Sequence, residues 1–155
     1  MDFMNRDDFI LRINALSKLV RTEYQLTQEK MAHILGISKK TLVESEKGRR
    51  NLGWTECALL AMTFSASTVL QNEFGSDIQD MVQSIAFDDM HVSYPYTMGG
   101  KVWWTTVEET DGFRIQQNIV SGHYRILNAD NQRLMSSFSL TEVRAHLAGV
   151  TGEKK

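Results

Sequence analysis

The chain has 155 residues, 42% apolar and 23% charged, with a net charge of −2, a make-up that suits one soluble globular domain or two small ones. Its single cysteine excludes an internal disulfide, and no apolar run reaches the ~20 residues that span a bilayer. The acidic opening MDFMNRDDF has no signal-peptide core, so a cytoplasmic protein without a membrane anchor is expected.

Charge is unevenly spread. Residues 1–53 hold ten Lys/Arg against seven Asp/Glu, a balance of +3, and residues 54–155 hold seven against twelve, a balance of −5. A basic first third on an acidic remainder is compatible with a local contact to nucleic acid, because the footprint matters more than the total.

Residues 7–24 carry Phe9, Ile10, Ile13, Leu16, Leu19 and Val20 at three- and four-residue spacing, which predicts an amphipathic helix. Leu26 to Leu35 follows as a short helix capped by Thr27 and ended by Gly36. Ser38 can cap a third helix over about 39–47, which Gly48 ends, and Lys47 to Asn51 is a basic loop. A fourth helix is expected at about 54–64, with Trp54, Ala58, Leu59 and Met62 inward, and a fifth at about 66–73. Cys57, among Ala58, Leu59 and Leu60, reads as a buried, inert thiol.

Ser76 is the expected cap of a further helix through residue 87, whose stripe of Ile78, Met81, Val82, Ile85 and Phe87 could dock on either half of the chain or on another subunit. DDMHVSYPYTMGG has no period and reads as a linker. Strand texture begins at Val102 and runs to Val107; Asp111-Gly112, Ser121-Gly122 and Asn128 to Asn131 are turn signals separating strands at 113–116, 124–127 and 133–138. Leu140 to Leu147 closes the chain as a helix with Thr141 as its cap, and the tail TGEKK is expected to fray.

Within residues 28–48, Ala32 supplies the small residue that two steeply crossing helices need where they approach. Gly36 supplies a positive φ for the turn, and Ile37 and Leu42 bury the second helix on the first. On "LTQEKMAHILGISKKTLVESEKG", with "RRNLGWTECALLAMTF" behind it, the sequence resembles the Cro/cI-like helix-turn-helix regulators of the xenobiotic-response-element family, over about residues 7–73.

The resemblance implies roles. Gln28 would touch a phosphate or lock onto the recognition helix. Ser38, Lys39, Lys40, Thr41, Val43, Glu44 and Lys47 would face or flank the major groove, and Arg49, Arg50 and Asn51 would reach the DNA backbone. Phosphate contacts set affinity and register; base-edge contacts set sequence. Lys39 and Lys40 could donate to guanine, Val43 could pack on a thymine methyl, and Glu44 could accept from cytosine N4 or merely pair with Lys40 four residues back. In the family an acid at the place of Glu46 points inward to an arginine near the end of the first helix, so a Glu46–Arg21 ion pair is expected. Ser45 departs from the pattern. Relatives usually bury a large apolar residue there, and serine forfeits ~1–2 kcal/mol unless Trp54 or another large side chain fills the space.

The expected fold class is α+β. It comprises a five-helix, lambda-repressor-like DNA-binding domain at 1–74, a connecting helix and linker at 75–99, and at 100–155 a small antiparallel β domain with one closing helix. Trp103 and Trp104, adjacent on a strand, face opposite sides, one into the core. Tyr94, Tyr96, Phe113, Tyr124 and Phe138 add to the aromatic supply, and Glu108-Glu109 reads as a solvated strand end. His91, His123 and His146 lack ligand spacing, and no nucleophile elbow, phosphate loop or paired-carboxylate signature appears, so no catalytic residue, metal or cofactor is expected. Two functional classes compete. One is a regulator, a repressor, that binds double-stranded DNA as a homodimer, its β domain dimerising or meeting an effector or protein partner. The other is an antitoxin-like protein-interaction module that binds no operator.

Overall fold

The computed structural model describes residues 4–88, 90–93, 95 and 103–152. Tyr94 and Tyr96, the strand start at Val102, and much of the expected linker and of the tail lie outside the described residues. The protein is α+β, with seven helices and a four-stranded antiparallel sheet among the described residues. It divides into two compact units, Met1–Tyr94 and Pro95–Lys155.

The first unit is built from short helices with well-defined ends: α1 (Arg6–Glu23), α2 (Gln28–Leu35), α3 (Lys39–Glu46), α4 (Trp54–Thr63), α5 (Thr68–Phe74) and α6 (Ile78–Phe87). Asn5 and Asp8 close a reciprocal capping box on α1. Thr27 accepts from the Lys30 amide and Ser38 from the Thr41 amide, so the two expected caps are in place. Asp77 occupies the cap position of α6 and makes no side-chain cap bond, where Ser76 was expected. One core joins all six helices, with Phe9, Ile13, Met31, Leu42, Leu60, Leu70 and Ile78 fully buried. Ile78, Val82 and Ile85 belong to it, so of the docking places open to α6 the chain uses the first unit.

On two helices part of the expected inward face is exposed, while Phe9, Ile10, Ile13, Leu16, Val20, Trp54 and Ala58 are in or against the core as expected. On α4 the buried residues are Cys57, Leu60 and Ala61, while Leu59 and Met62 are exposed. This helix is apolar almost all round, so periodicity does not select a face; packing against α1, α2 and α6 does. On α1 the buried row is Phe9, Ile13, Ser17 and Val20, and Leu19 is exposed. Cys57 is buried, and its thiol is pushed up to about 12, first by desolvation and then by Glu56, which makes it a poor nucleophile.

Glu23, the last residue of α1, does work for α5. Its carboxylate accepts from the Thr68 amide at 2.8 Å and from the Ser67 and Thr68 hydroxyls. Those bonds hold it below the usual carboxylate range.

The second unit is a meander, β1 (Trp104–Thr110), β2 (Phe113–Asn118), β3 (Tyr124–Leu127) and β4 (Arg133–Ser137), paired in sequence order, followed by α7 (Leu140–Val150). Ile115, Ile126, Val143 and Leu147 form its core, so α7 covers one face. β1 continues beyond Val107 because a bulge there shifts the register and lets Glu108 to Thr110 pair with Ile115 to Phe113. Glu108 is therefore inside a strand, not at its end, and Arg144 of α7 donates to it at 2.7 Å. Asp111, at a positive φ, and Gly112 make the expected hairpin turn. Ser139, not Thr141, caps α7, accepting from the Glu142 amide. Neither Trp103 nor Trp104 enters the core, and Phe138 is 77% exposed.

Candidate nucleic-acid interface

The turn between α2 and α3 is set by Gly36. It sits at φ +69°, where a β-carbon is disfavoured, and the Ile37 and Gly36 amides donate to the Ala32 and His33 carbonyls. Ala32 is buried, as a small residue between packed helices should be. Ser38 then caps α3.

Helix α3 is held from behind by charge. Arg21 grips Glu46 with two parallel bonds, Nε to Oε2 and Nη2 to Oε1, each 2.8 Å. Arg21 Nη1 also donates to the Leu26 carbonyl at 3.0 Å, and Gln28 Nε2 donates to Glu46 Oε1 at 3.3 Å. The side chains of Arg21 and Glu46 are only 13% and 5% exposed. Burial pushes the Glu46 carboxyl up, but the Arg21 and Gln28 hydrogen bonds and the Arg21 and Lys18 charges together bring it below its ordinary value. The Glu46 bond raises Arg21. The expected pair is thus present, and Gln28 ties α2 to α3 through Glu46.

With Leu42 and Ser45 buried, helical geometry puts Lys40, Val43, Glu44 and Lys47 on the opposite side, at spacings of three and four. Lys40 and Lys47 are exposed, and Val43 and Glu44 are half-buried. Lys39 and Thr41 flank this face. Lys39 reaches back to Glu29 at 3.6 Å, and Thr41 accepts from the Ser38 hydroxyl. Glu44 does not pair with Lys40. Its partner is Arg49, at 3.6 Å. The cause is local: Gly48 at φ +73° reverses the chain, and the Arg49 amide donates to the Glu44 carbonyl, which sets the two side chains together.

Arg49, Arg50 and Asn51 are all exposed on the loop that follows. Sequence reasoning missed what fixes this loop. Asn14 of α1 accepts from the Leu52 amide at 2.7 Å and donates to the Leu52 and Ile10 carbonyls at 3.0 and 2.8 Å. A polar residue among apolar positions of α1 was the available signal.

The electrostatics of α3 do not favour its own stability. Lys39 and Lys40 stand in its first turn, which holds no acid, so positive side chains meet the positive end of the helix. A partner anion there would be attracted by both. Among the described residues, no ion pair involves Lys40, Lys47 or Arg50.

Behind this face Ser45 is 6% exposed and Ser17, on α1, is 1% exposed, and neither hydroxyl has a hydrogen-bond partner. Trp54 is occupied elsewhere, edge-on to Phe9 at 5.7 Å with the Arg6 guanidinium 4.3 Å over its ring.

Among the described residues no three His, Cys, Asp or Glu side chains gather as a metal site would require. No described helix is long and apolar enough to cross a membrane. Comparison of the chain with family models, curated proteins and solved structures returned no match.

Proposed function

We propose that the protein is a DNA-binding transcriptional regulator, a cytoplasmic repressor, whose helix α3 enters the major groove. The observation that carries this reading is the division of α3. One side is clamped by Leu42, Ser45 and the Arg21–Glu46–Gln28 cluster; the other offers Lys40, Val43, Glu44 and Lys47 beside a basic loop. A rigid seat behind and uncommitted cations in front suit a helix that must hold its register while phosphates and base edges are read. The lambda-repressor-like arrangement of the first five helices belongs to the same reading. One such helix covers few base pairs, so two copies on a near-palindromic site are expected.

A protein-interaction module is the second reading. It is favoured by a shallow apolar hollow on α2 between Leu26, Glu29, Lys30, His33 and Ile34. Salt separates the two. Neutralising phosphates releases counterions, so duplex binding should weaken steeply as salt rises, by a slope of ~0.9 per phosphate contacted. Binding of a protein partner that is insensitive to Lys40→Gln and Lys47→Gln, with no duplex binding at low salt, would replace the first reading by the second.

A further inference from the structure

The meander has one face under α7 and one that α7 does not cover. Register identifies the second: Gln116 pairs with Thr106 and Arg125, Arg114 with Leu127, Leu127 with Arg133, and Trp104 with Asn118. Partners in register project to the same side, as do residues two apart on a strand except across a bulge; a bulge separates Met135 from Arg133, so Arg133 is placed by its pairing with Leu127. Trp104, Arg114, Gln116, Arg125 and Arg133 therefore share the side opposite Ile115 and Ile126.

Two of the three arginines on this side, Arg125 and Arg114, have neutral partners. Arg125 lies with its guanidinium 3.8 Å over the Trp104 ring, and its Nε and Nη2 donate to Gln116 Oε1 at 3.0 and 2.8 Å. Arg114 donates to the Asn131 side-chain oxygen. Among the described residues none of the three makes an ion pair. The one acid in register on this side, Glu109 opposite Arg114, makes none either. On the α7 side the contrast is direct, because Arg144 is paired with Glu108. Burial lowers Arg125, and the charges of Arg114 and Arg133 lower it further. Three cations against the single in-register carboxylate of Glu109 leave a net repulsion on this face. An anion relieves that repulsion, and a planar guanidinium fork matches phosphate oxygens.

We propose that this open face, with Arg114, Arg125 and Arg133 as its cations and the Trp104–Gln116 pair orienting Arg125, is a second DNA surface that contacts duplex phosphates. Charge complementarity selects a polyanion. The choice of duplex DNA rests on the reading of α3 above, since a chain with two tethered basic surfaces gains affinity when both engage one duplex.

The test measures full-length protein on random-sequence duplex across a salt series. The variants are Arg114→Gln/Arg125→Gln/Arg133→Gln, Arg133→Gln alone, the triple Arg→Lys, and Lys40→Gln/Lys47→Gln. Arg133 is exposed and makes no ion pair among the described residues, so its single variant remains informative if the triple variant misfolds. Loss of three phosphate contacts should flatten the slope of log affinity against log salt by about 2.7, and loss of Arg133 alone by about 0.9. The lysine triple should keep the slope. If only the α3 variant flattens it, the sheet proposal falls and the α3 reading stands. Self-association lost in the glutamine triple would then mark the face as a contact between copies. If only the sheet variants flatten it, the α3 reading falls and the sheet proposal stands. A wild-type chain that binds no duplex overturns both.

Discussion

Arg21 and Arg125 are both half-buried arginines, and they are treated in opposite ways. Arg21 meets a carboxylate, Glu46, in a two-bond clamp with its charge neutralised. Arg125 meets an amide and an indole, beside two more arginines, with its charge kept. Both are held in place by hydrogen bonds, so the difference lies in where the positive charge ends. At Arg21 it ends inside the fold and serves to position α3. At Arg125 no carboxylate among the described residues takes it up. The same distinction separates Glu46 from Glu44 on one helix: the first faces the clamp, the second the outer surface.

The largest expected effect breaks the clamp. Arg21→Met leaves Glu46 buried and unpaired and should cost about 3 kcal/mol in urea unfolding. Arg21→Met with Glu46→Leu should recover most of that loss, since a buried pair replaced by apolar groups is often neutral. If the single variant is as stable as wild type, the clamp does not seat α3. The pair also gives a pH signature. Glu46 is lowered on folding, so its contribution is fully present above the ordinary carboxylate range and is lost as pH falls through its depressed folded value. The raised Arg21 changes nothing there, because it stays charged throughout. Glu46→Gln should flatten the loss of stability in acid; Glu23, lowered by Ser67 and Thr68, contributes in the same direction, so the flattening should be partial.

A smaller effect is expected at Asn14. Its replacement by alanine leaves the Leu52 amide without its partner and should cost about 2 kcal/mol. Hydrogen exchange at Leu52 should accelerate more than at Leu42; equal protection would show that the basic loop is held by something else.

Local signals made the turn region legible. Thr27, Gly36, Ser38 and Gly48 each act through the backbone within four residues, and each sits where its chemistry requires. Long-range choices were less legible. Leu59 and Met62 were assigned to the wrong side because α4 is apolar all round and its neighbours choose the face. The bulge at Val107 moved Glu108 from a strand end to a pair with Arg144, and alternation alone does not reveal a bulge. The arginine face was invisible for the same reason: Arg114, Arg125 and Arg133 lie on three strands, and only register brings them together.

The smallest expected effect concerns the two orphan hydroxyls behind α3. Ser45→Ala and Ser17→Ala each remove a buried, unpartnered oxygen and should raise stability by up to about 1 kcal/mol, read as a higher unfolding midpoint. A loss of that size instead would mean that each hydroxyl is satisfied in solution, for example by a buried water.

Whether the outer face of α3 reads bases is decided by selection of bound sequences from random duplex DNA, run on the full chain and on Lys40→Gln, Val43→Ala and Glu44→Ala. A recurrent half-site repeated with two-fold symmetry is expected, with preference relaxed at different bases by the different substitutions. No enriched sequence, or an enriched site that all three substitutions leave unchanged, would contradict it.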